Sequence, residues 1–367
     1  MMWLFKYTSP EVEGKVDLTS ATSLNSHRRV SSWFFFLTLL VAILILWGGI
    51  VRLSGSGLSI PDWPLINESL LPPLSDSDWQ QVYQSYKSQV SNLTDPQSSI
   101  EIPLNRFKFM FAIEYIHRFL ASVVGIIFLA IFILSLKVKS VWIQTRGLLI
   151  PAAILLLGQA ILGGVVVKKE LQAELVAVHL GLAFLFFGLL FWMALKISVT
   201  EANLAVQQKS NRTTLAWITL GVVFIQIISG GLMAGTKAGL ILNTFPKMGD
   251  YLVPPVSALW STIYKTPFHN LIQNQLTIQF IHRWWAILAI IMIMVLVFAS
   301  VGKKLSARGR IALRLVGSLA IFQLLLGIGN LMMKAAFGMS LAHLAVGLML
   351  FGFLILITHE SKYSYAA

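Results

Sequence analysis

The chain has 367 residues, of which 56% are hydrophobic and only 12% charged, with a mean hydropathy of +0.76 and no cysteine. That is about half the charge of an ordinary soluble domain; it excludes a soluble globular enzyme, a disordered chain, a disulfide scaffold and every site built on thiolate. The formal net charge of +13 leaves two readings: a nucleic-acid partner, or the Lys/Arg surplus that membrane proteins carry on their cytoplasmic side.

Residues 1–32 read as a cytoplasmic N-terminal segment. No apolar core precedes Trp33, so a signal peptide is not expected, and Glu11, Glu13 and Asp17 argue against a transit peptide. Eight apolar stretches then follow, about 33–51, 114–136, 148–167, 175–195, 213–235, 278–300, 311–333 and 340–358. Each is near the 20 residues that cross a bilayer core as helix. Two connections are long, 52–113 and 236–277, and the polar run Ser75 to Ser99 in the first suits short helices over the membrane surface. With the N-terminus inside, the inner segments are 1–32, 137–147, 196–212, 301–314 and 359–367. They hold 16 of the 28 basic residues but only 5 of the 15 acidic ones, a net +11 against +2 for the rest. Charge therefore predicts both termini cytoplasmic and no nucleic-acid partner, and a prokaryotic inner membrane is the expected location.

The chain repeats itself. GGIVRLSGSGLSIPDWP (48–64) aligns without a gap to GGLMAGTKAGLILNTFP (230–246), and Pro72-Pro73 keeps the same offset to Pro254-Pro255. EYIHR (114–118) matches QFIHR (279–283), Gln159 matches Gln323, and His179 matches His343. Four helices per half is an even number, so both halves enter the membrane from one side. The expected fold is all-α and polytopic: eight transmembrane helices as two pseudo-symmetric four-helix bundles in a parallel repeat. The bundles are 33–200 and 201–358, with a tail at 359–367.

Seven histidines are present, and His27, His269 and His359 have no mate in the other half. The other four form two repeat-related pairs, His117 with His179 and His282 with His343. All four are expected in the first turns of helices that run from outside to inside, hence at similar depth near the outer face. Two imidazoles facing each other across a bundle suit a bis-imidazole haem, whose iron takes axial nitrogens. A tetrahedral zinc would want more ligands than each bundle offers. Packing or proton-relay roles are the alternative for the four histidines. Arg118 and Arg283 follow the first histidine of each pair; contact with haem propionates and snorkelling to the interface are both open. Gly163, Gly164, Gly327 and Gly329 leave room either for a flat ring or for close helix packing. Trp63, Phe245 and the two Pro-Pro pairs suit lids over the sites or interfacial anchors.

The halves differ at one telling position. Glu114 lies three residues before His117, whereas Gln279 lies three before His282. An ionisable group in a membrane helix is costly and is a candidate for function. Glu114 thus marks the first site as the one that does chemistry, unless it is a surface residue at the helix start.

These motifs, with GGLMAGTKAGLILNTFPKMG (230–249) and QFIHRW (279–284), resemble the heme A synthase family over nearly the whole chain from about residue 33. The resemblance implies a membrane oxidoreductase that oxidises the C8 methyl of heme O to the formyl group of heme A, through a hydroxymethyl intermediate, for cytochrome c oxidase. It implies haem b as cofactor between His282 and His343, with Arg283 beside it. It places substrate heme O between His117 and His179, with Arg118 beside it and Glu114 as the catalytic carboxyl. Its implied partners are the lipid bilayer, the heme O-producing enzyme and an electron donor that the residues do not identify; it also allows self-association. Some members carry paired outer-loop cysteines, and a thiol mechanism of that kind has no residues to act through here. Two rival functions share the paired histidines: a purely electron-transferring b-type cytochrome, and a haem chaperone or transporter that passes heme O on unchanged.

Overall fold

Backbone amides have no water to bond in a bilayer core, so an apolar run of this length is stable there as a helix. The computed structural model describes residues 18–65, 69, 71–91, 102–198, 211–302 and 305–362. They form α1 (Leu18–Leu53), α2 (Asp76–Ser91), α3 (Leu104–Lys137), α4 (Lys139–Lys168), α5 (Ala173–Ser198), α6 (Asn211–Gly235), α7 (Val256–Leu259), α8 (Pro267–Gln273), α9 (Gln275–Ser300), α10 (Ala307–Met332) and α11 (Phe337–Lys362). Eight of these, α1, α3, α4, α5, α6, α9, α10 and α11, are long and apolar enough to cross a membrane. The protein is an all-helical, multi-pass membrane protein.

Several boundaries differ from those read in the sequence. Helix α1 starts at Leu18, so part of the 1–32 segment is helical; residues 1–17 lie outside the described ones, as do 199–210 in the inner connection and 363–367 of the tail. The expected inner loop 137–147 shrinks to Val138, which alone separates α3 from α4. The expected tail begins inside α11, where His359 and Glu360 are buried and Glu360 accepts from Arg308 at 2.9 Å.

Helix α3 also starts early, at Leu104, ten residues before the apolar stretch. The cause is a small outer core. The Ser75–Asp78 pair opens α2 as a reciprocal cap, Asp78 N–H to Ser75 Oγ and Ser75 N–H to Asp78 Oδ2, each at 3.1 Å. Hydrogen bonds from the Ser75 side chain and from the Ser75 N–H hold the Asp78 carboxyl below its usual range. One face of α2 buries Val82, Tyr83 and Tyr86 against Phe107, Met110 and Phe111 of α3 and Ile60 of the preceding loop. The surface helix expected in the first long loop is thus present, and it extends α3 beyond the membrane span.

The packing of the spans repeats. Helix α1 packs on α3 and α5, and α4 on α3 and α5; correspondingly α6 packs on α9 and α11, and α10 on α9 and α11. The halves meet through α5 with α6 and α11, and through α1 with α11. Small residues set the closeness. A Cβ on Gly231 would lie 2.9 Å from the Ala177 Cα, and one on Gly235 2.7 Å from the Ala173 Cα. Gly231-xxx-Gly235 of α6 therefore lies directly on Ala173-xxx-Ala177 of α5, a small-xxx-small contact. At the equivalent joint a Cβ on Gly49 of α1 would meet Leu344 and Leu341 of α11, the repeat mates of Leu180 and Ala177. Leucine in place of Ala177 keeps that second joint wider. Arg52, ending α1, donates to the Ala234 carbonyl of α6 at 2.5 Å, which caps the C-terminal end of α6.

Candidate functional site

The four repeat-related histidines lie deeper in their helices than first turns. His117 is the fourteenth residue of α3, because the outer core extends that helix, and His179, His282 and His343 lie about two turns into α5, α9 and α11. The structure brings them together in the expected pairs: His117 is within electrostatic reach of His179, and His282 of His343.

Each ring is seated against a glycine on a neighbouring helix. A Cβ built on the glycine would lie 3.3 Å from His117 Cε1 at Gly48, 3.7 Å from His179 Cε1 at Gly163, 3.4 Å from His282 Cε1 at Gly230 and 3.1 Å from His343 Cε1 at Gly327. Gly48 and Gly230 are repeat mates, as are Gly163 and Gly327. Of the glycines singled out in the sequence, Gly163 and Gly327 make room for imidazoles. Gly164 is covered by Trp63, whose Cδ2 would be 2.6 Å from an added Cβ, and Gly329 by the Met339 methyl. These two therefore serve close packing, and Trp63 folds over α4.

The ring nitrogens are poorly matched by protein alone. Nδ1 of His117, His179 and His343 is buried without a hydrogen-bond partner among the described residues, a cost of about 1–3 kcal/mol each where nothing else satisfies it. Among the described residues no group of three or more His, Asp or Glu converges; the histidines stay as pairs. Paired imidazoles seated in glycine notches, three of them with an unpartnered Nδ1 among the described residues, are residues that would hold a haem iron through ring nitrogen. Glutamines buttress three of the four. Gln159 donates to the His179 carbonyl at 2.8 Å, Gln323 to the His343 carbonyl at 3.0 Å and Gln226 to the His282 carbonyl at 3.1 Å.

Glu114 is 3% exposed, so it is not a surface residue at the helix start. Its Oε2 accepts from Ser59 Oγ at 2.8 Å and from the Ile60 N–H at 3.0 Å, and its Oε1 accepts from Arg118 Nη2 at 2.7 Å. Arg118 also donates to the Ile60 and Asp62 carbonyls. The second half builds the same bracket with inverted polarity. Gln279 donates to the Ala238 and Ile241 carbonyls at 2.9 and 2.7 Å and accepts from Arg283 at 3.0 Å. Arg283 donates to the Leu242, Thr244 and Lys247 carbonyls. Both arginines thus fasten the loop that follows the first helix of their half. The acid in one half and the amide in the other match what each loop presents: a hydroxyl and an N–H to Glu114, two carbonyls to Gln279.

Sequence reasoning passed over Ser59, Gln226, Ser229, Gly48 and Gly230. The glycines lie in the repeated motif, where their recurrence was the available signal. The others become visible only once the loops and helices are placed.

Known proteins match this chain along nearly its whole length. The profile of the family described as cytochrome oxidase assembly protein, COX15-CtaA, matches residues 31–355. The heme A synthase of Paramagnetospirillum magneticum is 31% identical over 348 residues, covering 90% of this chain and 92% of that protein. That of Nitrosospira multiformis is 33% identical, covering 91% and 93%, and that of Paracoccus denitrificans is 30% identical, covering 91% and 88%. With nearly its whole length matched at these levels, the chain belongs to the cytochrome oxidase assembly protein family, COX15-CtaA.

Proposed function

We propose that this chain is a heme A synthase, an oxidoreductase that converts the C8 methyl of heme O to a formyl group through a hydroxymethyl intermediate. The observation that carries the reading is the duplicated pair of buried, glycine-seated histidines in a chain related to heme A synthases along its length. His282 and His343 would hold haem b, which when bound supplies one-electron transfer. His117 and His179 would bind and orient substrate heme O. The glycine notches fix the ring positions, and the glutamines behind the main chain hold the helices in register. Glu114 is the one carboxyl in either bracket, and it holds its loop through Ser59, Ile60 and Arg118. A carboxylate so placed holds or moves a proton at Oε1 or Oε2, which Gln279 cannot do. Arg118 and Arg283 keep the loops closed over the two sites, which excludes water from them.

The two halves are read as four-helix bundles side by side in a prokaryotic inner membrane, with both termini cytoplasmic and the histidines toward the outer face. A reporter fused after the C-terminus should be active only in its cytoplasmic form. Membranes containing the protein and supplied with heme O should yield heme A or the hydroxymethyl intermediate on pigment extraction. Recovery of haem b alone, even with heme O supplied, contradicts the proposal and favours a b-type cytochrome.

A further inference from the structure

The two histidines that open the pairs, His117 and His282, are repeat mates in unlike surroundings. Ser229 Oγ lies 2.8 Å from His282 Nδ1 and also 2.8 Å from the Gln226 carbonyl. A hydroxyl has one hydrogen. A carbonyl cannot donate, so that hydrogen goes to Gln226, and the contact with His282 is Nδ1–H donating to Oγ. The Gln226 amide nitrogen lies 3.2 Å from one ring nitrogen and 3.3 Å from the other. An amide nitrogen carries two hydrogens: one goes to the His282 carbonyl, and the other, at nearly equal distance from two ring nitrogens that point in diverging directions, is aligned with neither and does not set the tautomer. The arrangement therefore places the proton of His282 on Nδ1 and leaves the lone pair on Nε2.

In the first half the mates of Gln226 and Ser229 are Leu44 and Trp47. Neither gives His117 an acceptor: Leu44 is apolar, and the Trp47 indole N–H donates to the Ile113 carbonyl at 2.9 Å. His117 Nδ1 is left buried and without a partner among the described residues.

We infer that Ser229 is a positioning residue that fixes the tautomer of His282 and makes the second site the one that retains its haem, while the absence of such a group at His117 lets the first site exchange its ring. The inference rests on the reading of His282 as a haem ligand. An imidazole whose far N–H is given to an acceptor is a more basic and better oriented ligand, and loss of such a support typically costs ten- to a hundredfold in metal affinity. A more basic ligand favours ferric iron, so the hydrogen bond lowers the reduction potential of the retained haem. A site that takes in substrate and releases product gains from the opposite.

The test uses the purified, haem-loaded full chain and measures the midpoint potential of haem b and its rate of transfer to excess apomyoglobin. Ser229→Ala should raise the potential and speed transfer by about tenfold, and Ser229→Thr, which keeps the hydroxyl, should leave both near the parent values. Parent-like behaviour of Ser229→Ala on both measures overturns the inference, as does equal loosening in Ser229→Thr. His282→Ala separates the two levels. Retention of an unaltered haem b spectrum in that variant overturns the ligand reading itself. Loss of haem b there with a silent Ser229→Ala overturns only the role of Ser229.

Discussion

Glu114→Gln should stop heme A production while leaving haem b in place. The substitution is nearly isosteric, so its effect must come from charge and hydrogen-bond polarity. Glu114 accepts three hydrogen bonds, two at Oε2 and one at Oε1. An amide can accept on one side only. With its oxygen toward Ser59 and Ile60, its NH2 faces the Arg118 guanidinium; with its oxygen toward Arg118, its NH2 faces the Ile60 N–H. Either way two donors meet, and an unsatisfied buried donor costs about 1–3 kcal/mol. The loop at 56–62 should therefore exchange its amide hydrogens faster in the variant. The lost proton-holding group adds a factor of about 10²–10⁴ in rate. Pigment extraction reads the first effect on product, and hydrogen exchange reads the effect on the loop. Undiminished heme A with an undisturbed loop would favour the chaperone or transporter reading. The reverse change, Gln279→Glu, points a carboxylate at the Ala238 and Ile241 carbonyls and should loosen the second loop instead.

The glycine seats predict a graded series. Gly327→Val should remove most haem b, because even a Cβ there lies only 3.1 Å from His343 Cε1 and valine adds two further carbons. Overpacking of this kind costs about 1–3 kcal/mol, more than the roughly 1 kcal/mol that a helix gains by losing a glycine. Gly230→Ala brings its Cβ to 3.4 Å from His282, an ordinary contact, and should keep haem b. In the first half, Gly48→Val (3.3 Å) should impair conversion of heme O and Gly163→Ala (3.7 Å) should not. Haem b per protein by absorbance measures the second-half pair, and heme O conversion the first-half pair. Equal tolerance of valine at Gly48 and Gly327 would mean the seats do not set ring position.

The spans were legible because hydropathy and length alone decide what crosses a bilayer, and the histidine pairs were legible because duplication marks equivalent positions without any knowledge of contacts. The start of α3 was not. Phe107, Met110 and Phe111 are helical outside the span because α2 covers them, and that cover depends on a tertiary contact with Tyr83 and Tyr86 that no local pattern encodes. Val138 as the sole break between α3 and α4 was likewise hidden, because the polar residues after it read equally as loop or as the exposed end of a helix. At the site, the asymmetry of Glu114 and Gln279 was plain, but its complement was not. Which loop atoms meet the side chain depends on backbone orientation, and the acid and the amide prove to match their own loops. Ser229 carried no signal, since a serine in a membrane helix commonly bonds its own turn.

In the proposed division of work, the second half holds resident haem b and the first half holds substrate. The haem content of the four single His→Ala variants tests it most directly. His282→Ala and His343→Ala should lose the haem b spectrum, whereas His117→Ala and His179→Ala should keep it and fail to convert heme O. Equal loss of haem b in all four would contradict the division.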